Sequence, residues 1–240
     1  MGFLDRLLRR RTGLGKGFAE DPGLAAVLDA VLEGCEYVLG AGDGAAQVLA
    51  AEARRYPGKE FLACEPGPEK CHEVSNRAAG AKNLYLHNRT PAEFLDLLAR
   101  DKPYLFGRDV LFFLSALGGG GERRLFEEIG FVAGRFQACF LLLSGLRVPD
   151  RDEFAYATHR GRECSLKNIA PCLAGTAGVL HLPAYPVKPS RRRVFKGWGL
   201  FCLGRNAEFV FPEPLVPLVQ RLPWGGNIVF PDSSPPVQSD

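Results

Sequence analysis

The amino-acid sequence predicts an α/β fold: a doubly wound, mostly parallel sheet of seven strands with a terminal antiparallel strand pair. Three observations carry this. Apolar runs of strand length alternate with helical patterns through the first two thirds of the chain, the rhythm of a parallel sheet covered by helices. The runs 109–115 and 138–144 (DVLFFLS and ACFLLLS) are nearly all apolar, as strands buried on both faces are. The last two runs, 179–186 and 196–204, have no helical pattern between them and read as an antiparallel pair at the sheet edge.

The elements follow in order. Asp21 and Pro22 supply an N-cap and a proline at the first helical position, opening a helix that runs to residue 34. The first strand is 35–40, followed by a glycine turn, a helix over 45–56, a strand over 59–64 and a helix over 68–78. The third strand is 83–88. Thr90, Pro91 and Glu93 then form a capping box with proline at its first position, which predicts a helix over 91–101 starting directly after the strand. The strand 109–115, a helix over 122–136 and the strand 138–144 complete the parallel part. Residues 145–164 form a long polar loop with aromatic residues, a length usually kept for function, and a short helix over 165–173 follows.

The chain of 240 residues is 46% hydrophobic and 24% charged, enough to bury one substantial core. A single domain is expected over 21–222, preceded by a basic amphipathic segment (1–20) and followed by a polar, proline-rich, partly disordered tail (223–240). The net charge of +3 is too balanced for nucleic-acid binding by bulk electrostatics. Seven cysteines, an odd number with no C-x-x-C spacing, and the lack of a secretory signal core imply a reducing, cytoplasmic setting without structural zinc. No apolar run has the length to cross a bilayer. The opening segment carries Phe3, Leu4, Leu7 and Leu8 on one face and Arg6, Arg9, Arg10 and Arg11 elsewhere. It reads either as a frayed helix packed on the domain or as a weak membrane-surface contact.

The chemistry gathers after the first strand. Gly40, Gly42 and Gly44 lie between that strand and a helix, where missing side chains let a nucleoside approach the backbone, and Glu65 follows 21 residues after Gly44 at the end of the second strand. A glycine turn plus an acid placed for a ribose diol reads as a nucleoside site. With Ala45 in place of the last glycine the spacing also satisfies a loose dinucleotide fingerprint, so NAD competes.

The Gly-x-Gly-x-Gly form, Asp43 between the second and third glycines, and the terminal antiparallel pair together resemble class I S-adenosylmethionine (SAM) dependent methyltransferases. The resemblance covers roughly residues 35 to 205. It implies SAM as cofactor, Gly40, Gly42, Asp43 and Gly44 along its methionine and ribose part, Glu65 on the ribose hydroxyls and Asn88 near the adenine. The loop after the fifth strand resembles one in bacterial small-molecule and sugar O-methyltransferase-like proteins, implying a small hydroxylated or sugar-like acceptor.

Two departures matter. The family pattern places an acid two positions before the first glycine, where this chain has Val38; Glu36 is nearby on the same strand face but one step along. Metal-dependent relatives carry acids and histidines at the ends of strands four and five, where this chain has Ser115, Leu117, Ser144 and Gly145. Magnesium needs carboxylate oxygens, so no metal is expected. Methyl transfer from a sulfonium proceeds largely by alignment, with a base needed only to remove a proton. Asp152, His159 and Glu163 in the long loop are the candidate bases, and solvated loop charge is the alternative for each. Phe154 and Tyr156 either cover an acceptor or anchor the loop. Lys188, Arg191, Arg192, Arg193 and Lys196 form the most basic internal stretch, but no interleaved aromatics suit base stacking, so nucleic acid is not the expected partner. The alternative to an enzyme is a degenerate relative that keeps the fold as a ligand-binding or protein-interaction module.

Overall fold

The computed structural model describes residue 18 and residues 21–116, 125–187 and 194–224. The expectations for the opening segment, for Leu117, for Lys188 and Arg191 to Arg193, and for the tail beyond Trp224 lie outside the described residues.

Helix α1 (Pro22–Gly34) begins as the sequence dictates: Asp21 Oδ1 accepts the N–H groups of Gly23 (3.1 Å) and Leu24 (3.2 Å). Strand β1 (Tyr37–Ala41) leads through the glycine turn into α2 (Ala45–Arg55). Then come β2 (Glu60–Cys64), α3 (Pro68–Arg77) and β3 (Leu84–His87). Helix α4 (Pro91–Asp101) carries the expected capping box, with both the Thr90 side chain and the Glu93 side chain engaged. Strand β4 (Val110–Ser115), helix α5 (Leu125–Arg135) and strand β5 (Ala138–Ser144) follow.

The long loop holds three two-residue strands, β6 (Phe154–Ala155), β7 (Thr158–His159) and β8 (Arg162–Glu163), before the short helix α6 (Leu166–Ile169). The chain closes with β9 (Gly178–Pro183), β10 (Phe195–Lys196), β11 (Trp198–Gly204) and β12 (Val219–Trp224).

The sheet has eight strands, in the order β12-β9-β11-β5-β4-β1-β2-β3. Strands β1 to β5 pair in parallel, whereas β11 runs antiparallel to both β5 and β9. Two details correct the sequence reading. The predicted pair does not form the edge, because β12 adds an eighth strand outside β9. Its sequence, VQRLPW, has no clear alternation of polar and apolar residues and contains Pro223, which has no N–H to donate and is tolerated at an edge. The strand runs to Trp224, whose ring packs edge-on against Phe201 at 5.2 Å. The two-residue strands of the loop are too short to leave a period in the sequence.

Both sheet faces are covered. Leu39, Leu62, Phe112, Leu114 and Leu141 point to one side and pack with Phe94 and Leu98 of α4 and Ile129 and Val132 of α5. Val38, Phe61, Leu111, Phe113 and Leu142 point to the other and pack with α1 and α2. That alternation along fully buried strands is the doubly wound arrangement. None of the seven cysteines forms a disulfide, and burial pushes the thiols of Cys35 and Cys202 up to about 12, so these two act as small apolar core residues. Among the described residues no helix is long and apolar enough to cross a membrane.

Candidate cofactor cleft

The glycine turn combines two different requirements. Gly42 (φ 98°) and Gly44 (φ 74°) occupy the left-handed region that side chains disfavour. Gly40 instead answers to packing, because a Cβ there would lie 2.7 Å from a methyl carbon of Leu49 on α2. The turn closes with the N–H of Ala45 donating to Gly42 O at 3.0 Å. Gly44 is the N-cap of α2, and among the described residues no side chain caps this helix. Its first-turn N–H groups therefore face the end of the sheet with no side-chain acceptor, and a Cβ on Gly44 would meet nothing within 4 Å. Asp43 projects outward and accepts from Lys70 Nζ at 3.2 Å, a contact that raises the Lys70 pKa.

Glu65 continues from β2 and is 3% exposed. Its N–H donates to His87 O at 3.0 Å, and its Oε1 accepts the N–H of Gly67 at 3.2 Å. The carboxylate thus lies beside the start of α3, at the carboxyl edge where open α/β sheets bind ligands. Asn88 donates from Nδ2 to the carbonyls of Glu65 (2.8 Å) and Pro66 (3.1 Å). It ties the end of β3 to the end of β2 and so holds the segment that carries Glu65.

A cleft of about 310 Å³ opens at the carboxyl ends of β1, β4 and β5. Asp21, Gly44, Gln47, Ser115, Ser144 and Lys196 supply its polar lining, with Phe18, Leu24, Val48, Phe113 and Phe195 among the apolar wall. Asp43 also lines it, whereas Glu65 and Asn88 do not. Ser115 and Ser144 are register partners at the ends of β4 and β5. Asp21 is held in place from a distance: Tyr185 Oη donates to its Oδ2 at 2.6 Å, and Trp198 Nε1 donates to Tyr185 Oη at 3.0 Å. Gly23 makes room for this, since a Cβ there would lie 2.4 Å from the Tyr185 ring.

The long loop lies beside this cleft as a strap. Gly145 and Leu146 donate N–H to Gly197 O (2.7 and 3.1 Å), and Gly197 N–H donates to Ala155 O at 2.8 Å. β10 pairs in parallel with β6, which fixes Phe195 and Lys196 as a cleft wall. The candidate bases are elsewhere on the strap. Asp152 is exposed. Glu163 accepts from Arg147 Nη1 at 2.6 Å and from Tyr156 Oη at 3.3 Å. His159 is buried and hydrogen-bonds through Nε2 to Ala116 O. None of the three lines the cleft. Phe154 is buried against Tyr185 and anchors the strap, while Tyr156 is 41% exposed beneath the Arg147 guanidinium. Val38 is buried in the core layer under α1 and α2, and Glu36 is exposed. Among the described residues no group of three or more His, Cys, Asp or Glu is placed to hold a metal ion.

Sequence reasoning missed Asp21 and Gln47 as cleft lining and Tyr185 as the donor behind Asp21, and saw Lys196 only as part of a basic stretch. Asp21 carried a local signal, its helix cap, which concealed its second role.

No protein-family model matches the chain, and no curated protein matches it. Solved structures match the fold. A putative O-methyltransferase from Klebsiella pneumoniae superposes with a TM-score of 0.50 at 15% identity, over 84% of this chain and 89% of that one. The N-methyltransferase NodS from Bradyrhizobium japonicum WM9 also gives 0.50, at 9% identity, over 78% of this chain and 97% of that one. At such identities the likeness is one of fold alone: a Rossmann-like α/β sheet of the kind these two methyltransferases have.

Proposed function

We propose that this chain is a cytoplasmic SAM-dependent methyltransferase that acts, without a metal, on a small hydroxylated or sugar-like acceptor. The observation that carries the reading is the left-handed glycine turn at the uncapped start of α2, with a buried carboxylate, Glu65, at the end of the next strand. The open space over Gly44 and the acceptor oxygens of Glu65 suit a nucleoside whose ribose faces β2 and whose other end enters the cleft. Bound SAM supplies an electrophilic methyl group on a sulfonium. The chain then has to align donor and acceptor and exclude water, for which the apolar wall of Phe18, Phe113 and Phe195 is suited.

Competition calorimetry tests this: SAM and S-adenosylhomocysteine are expected to bind in preference to NAD, and tight NAD binding without SAM binding would overturn it. Methyl transfer from labelled SAM is expected to survive excess EDTA. Loss of transfer with EDTA and its return with magnesium would contradict the metal-free part.

One observation favours a second reading, a degenerate ligand-binding or interaction module. Val38 is wholly apolar and buried where the family pattern has an acid, and Ser115 and Ser144 stand at the strand ends. SAM binding with no methylated product from any acceptor class would select it.

A further inference from the structure

We propose, resting on the nucleoside reading of the turn and Glu65, that Asp43 selects the ligand: its carboxylate repels phosphate, so the cleft takes nucleosides whose 5′ end carries no anionic group.

The turn has the features of a phosphate site. It joins a strand to a helix, two of its glycines hold left-handed backbone, and among the described residues no side chain caps α2. Free N–H groups at a helix start, together with the helix dipole, attract anions. Asp43 reverses that preference. It lies between Gly42 and Gly44, and it lines the cleft together with Gly44, Gln47 and Val48 at the start of α2. A phosphate drawn to those N–H groups would meet a carboxylate already in place, and like charges at such range repel.

Lys70 does not cancel this charge. Its ammonium lies 3.2 Å from Asp43 Oδ1, yet it serves a second acid. A Cβ on Gly67 would lie 3.5 Å from Glu65 Oε1 and 3.7 Å from Lys70 Cβ, so the lysine stem passes beside the Glu65 carboxylate. The hydrogen bond to Asp43, then the charges of Asp43 and Glu65, raise the Lys70 pKa. Two carboxylates share one ammonium, which leaves a net negative charge at the turn. Lys70 also draws Asp43 toward α3, and Asp43 does not cap α2, so the N–H groups stay open to a neutral ligand. Lys196, the cation of the described lining, belongs to β10 on the strap and not to the turn.

Calorimetry with adenosine and with adenosine 5′-monophosphate tests the selection. The wild-type protein is expected to bind adenosine about tenfold or more tightly than its 5′-monophosphate. Asp43→Asn keeps the shape and removes the charge, so it should raise the affinity for the monophosphate about tenfold and leave adenosine unchanged. The same substitution made in a Lys70→Met background, where no released ammonium can account for a gain, should again raise it about tenfold over Lys70→Met alone. Wild-type protein that binds the monophosphate as tightly as adenosine, an unchanged ratio in Asp43→Asn, or no gain in the Lys70→Met background overturns the proposal. Should neither ligand bind, the nucleoside reading falls by itself, and inorganic pyrophosphate decides the role of Asp43: binding to Asp43→Asn and not to wild type supports it, and equal behaviour of the two proteins overturns it.

Discussion

Tyr185 and Asp21 are 164 residues apart in the chain and share a hydrogen bond of 2.6 Å. The contact joins the segment after β9 to the first turn of α1, and Trp198 Nε1 completes it from β11. Burial and the neighbouring Asp21 carboxylate raise the Tyr185 pKa far above that of a free phenol, so Tyr185 serves as a donor to Asp21 throughout the range in which the protein is handled.

Removing that donor has a predictable cost. Tyr185→Phe leaves the ring in place but deletes the bond to a charged acceptor and leaves the Trp198 N–H without its partner. Urea unfolding is expected to show a loss of about 1.5–3 kcal/mol. A loss below about 0.5 kcal/mol would mean that water replaces the phenol at no cost.

Glu65 separates a ligand role from a local one. Its Oε1 accepts the Gly67 N–H, so Glu65→Ala costs some stability in any case. If it also holds the ribose, nucleoside affinity falls by about 1.5–3 kcal/mol, roughly ten-fold to over a hundred-fold. Unchanged affinity in a folded variant would leave Glu65 as a helix-start ligand alone.

Two glycines should respond to alanine with opposite signs. Gly134 is exposed on α5 with nothing within 4 Å of a new Cβ, and Gly134→Ala is expected to stabilise by about 0.5–1 kcal/mol. Gly197→Ala drives a Cβ into the carbonyl oxygen of Leu146, 2.0 Å away, and should destabilise by about 1–3 kcal/mol. Chemical denaturation of both variants checks the pair.

His181 makes stability depend on acid. It is 2% exposed on β9, its ring is edge-on to Phe211, and neither ring nitrogen has a hydrogen-bond partner among the described residues. Burial, and then the Arg221 charge opposite it in register, lower its pKa from 6.5 to about 4. The unfolded chain therefore binds a proton more readily than the folded one. Stability from this group is constant above pH about 6.5, declines as the pH falls to about 4, and declines no further below that, a total on the order of 3 kcal/mol. Stability curves of wild type and His181→Leu should diverge across that window, and parallel curves would refute the assignment.

Much of the sheet was legible because its strands are apolar on both faces and its helices start at strong caps. The box at Thr90 and Glu93 and the proline at residue 22 marked helix starts to the residue. Strand β12 was not legible: an edge strand carries half-polar residues, and Pro223 argues locally against a strand. The cleft was half legible. Gly40, Gly42, Gly44 and Glu65 announce themselves because backbone conformation and strand ends leave local marks. Asp21, Tyr185 and Lys196 come together only through long-range closure, and no local pattern records a contact spanning 164 residues.

The position of β11 between β5 and β9 has a consequence for synthesis. While the ribosome has delivered only the parallel half, β5 presents an open edge of seven residues, six of them buried in the finished protein. The strand that covers it, β11, arrives some fifty residues later. Until then the nascent chain carries an uncovered apolar edge, the kind of surface that recruits chaperones or pairs wrongly with a neighbour. A translational pause between β5 and β11 would prolong that exposure, whereas one placed after Trp224 would not.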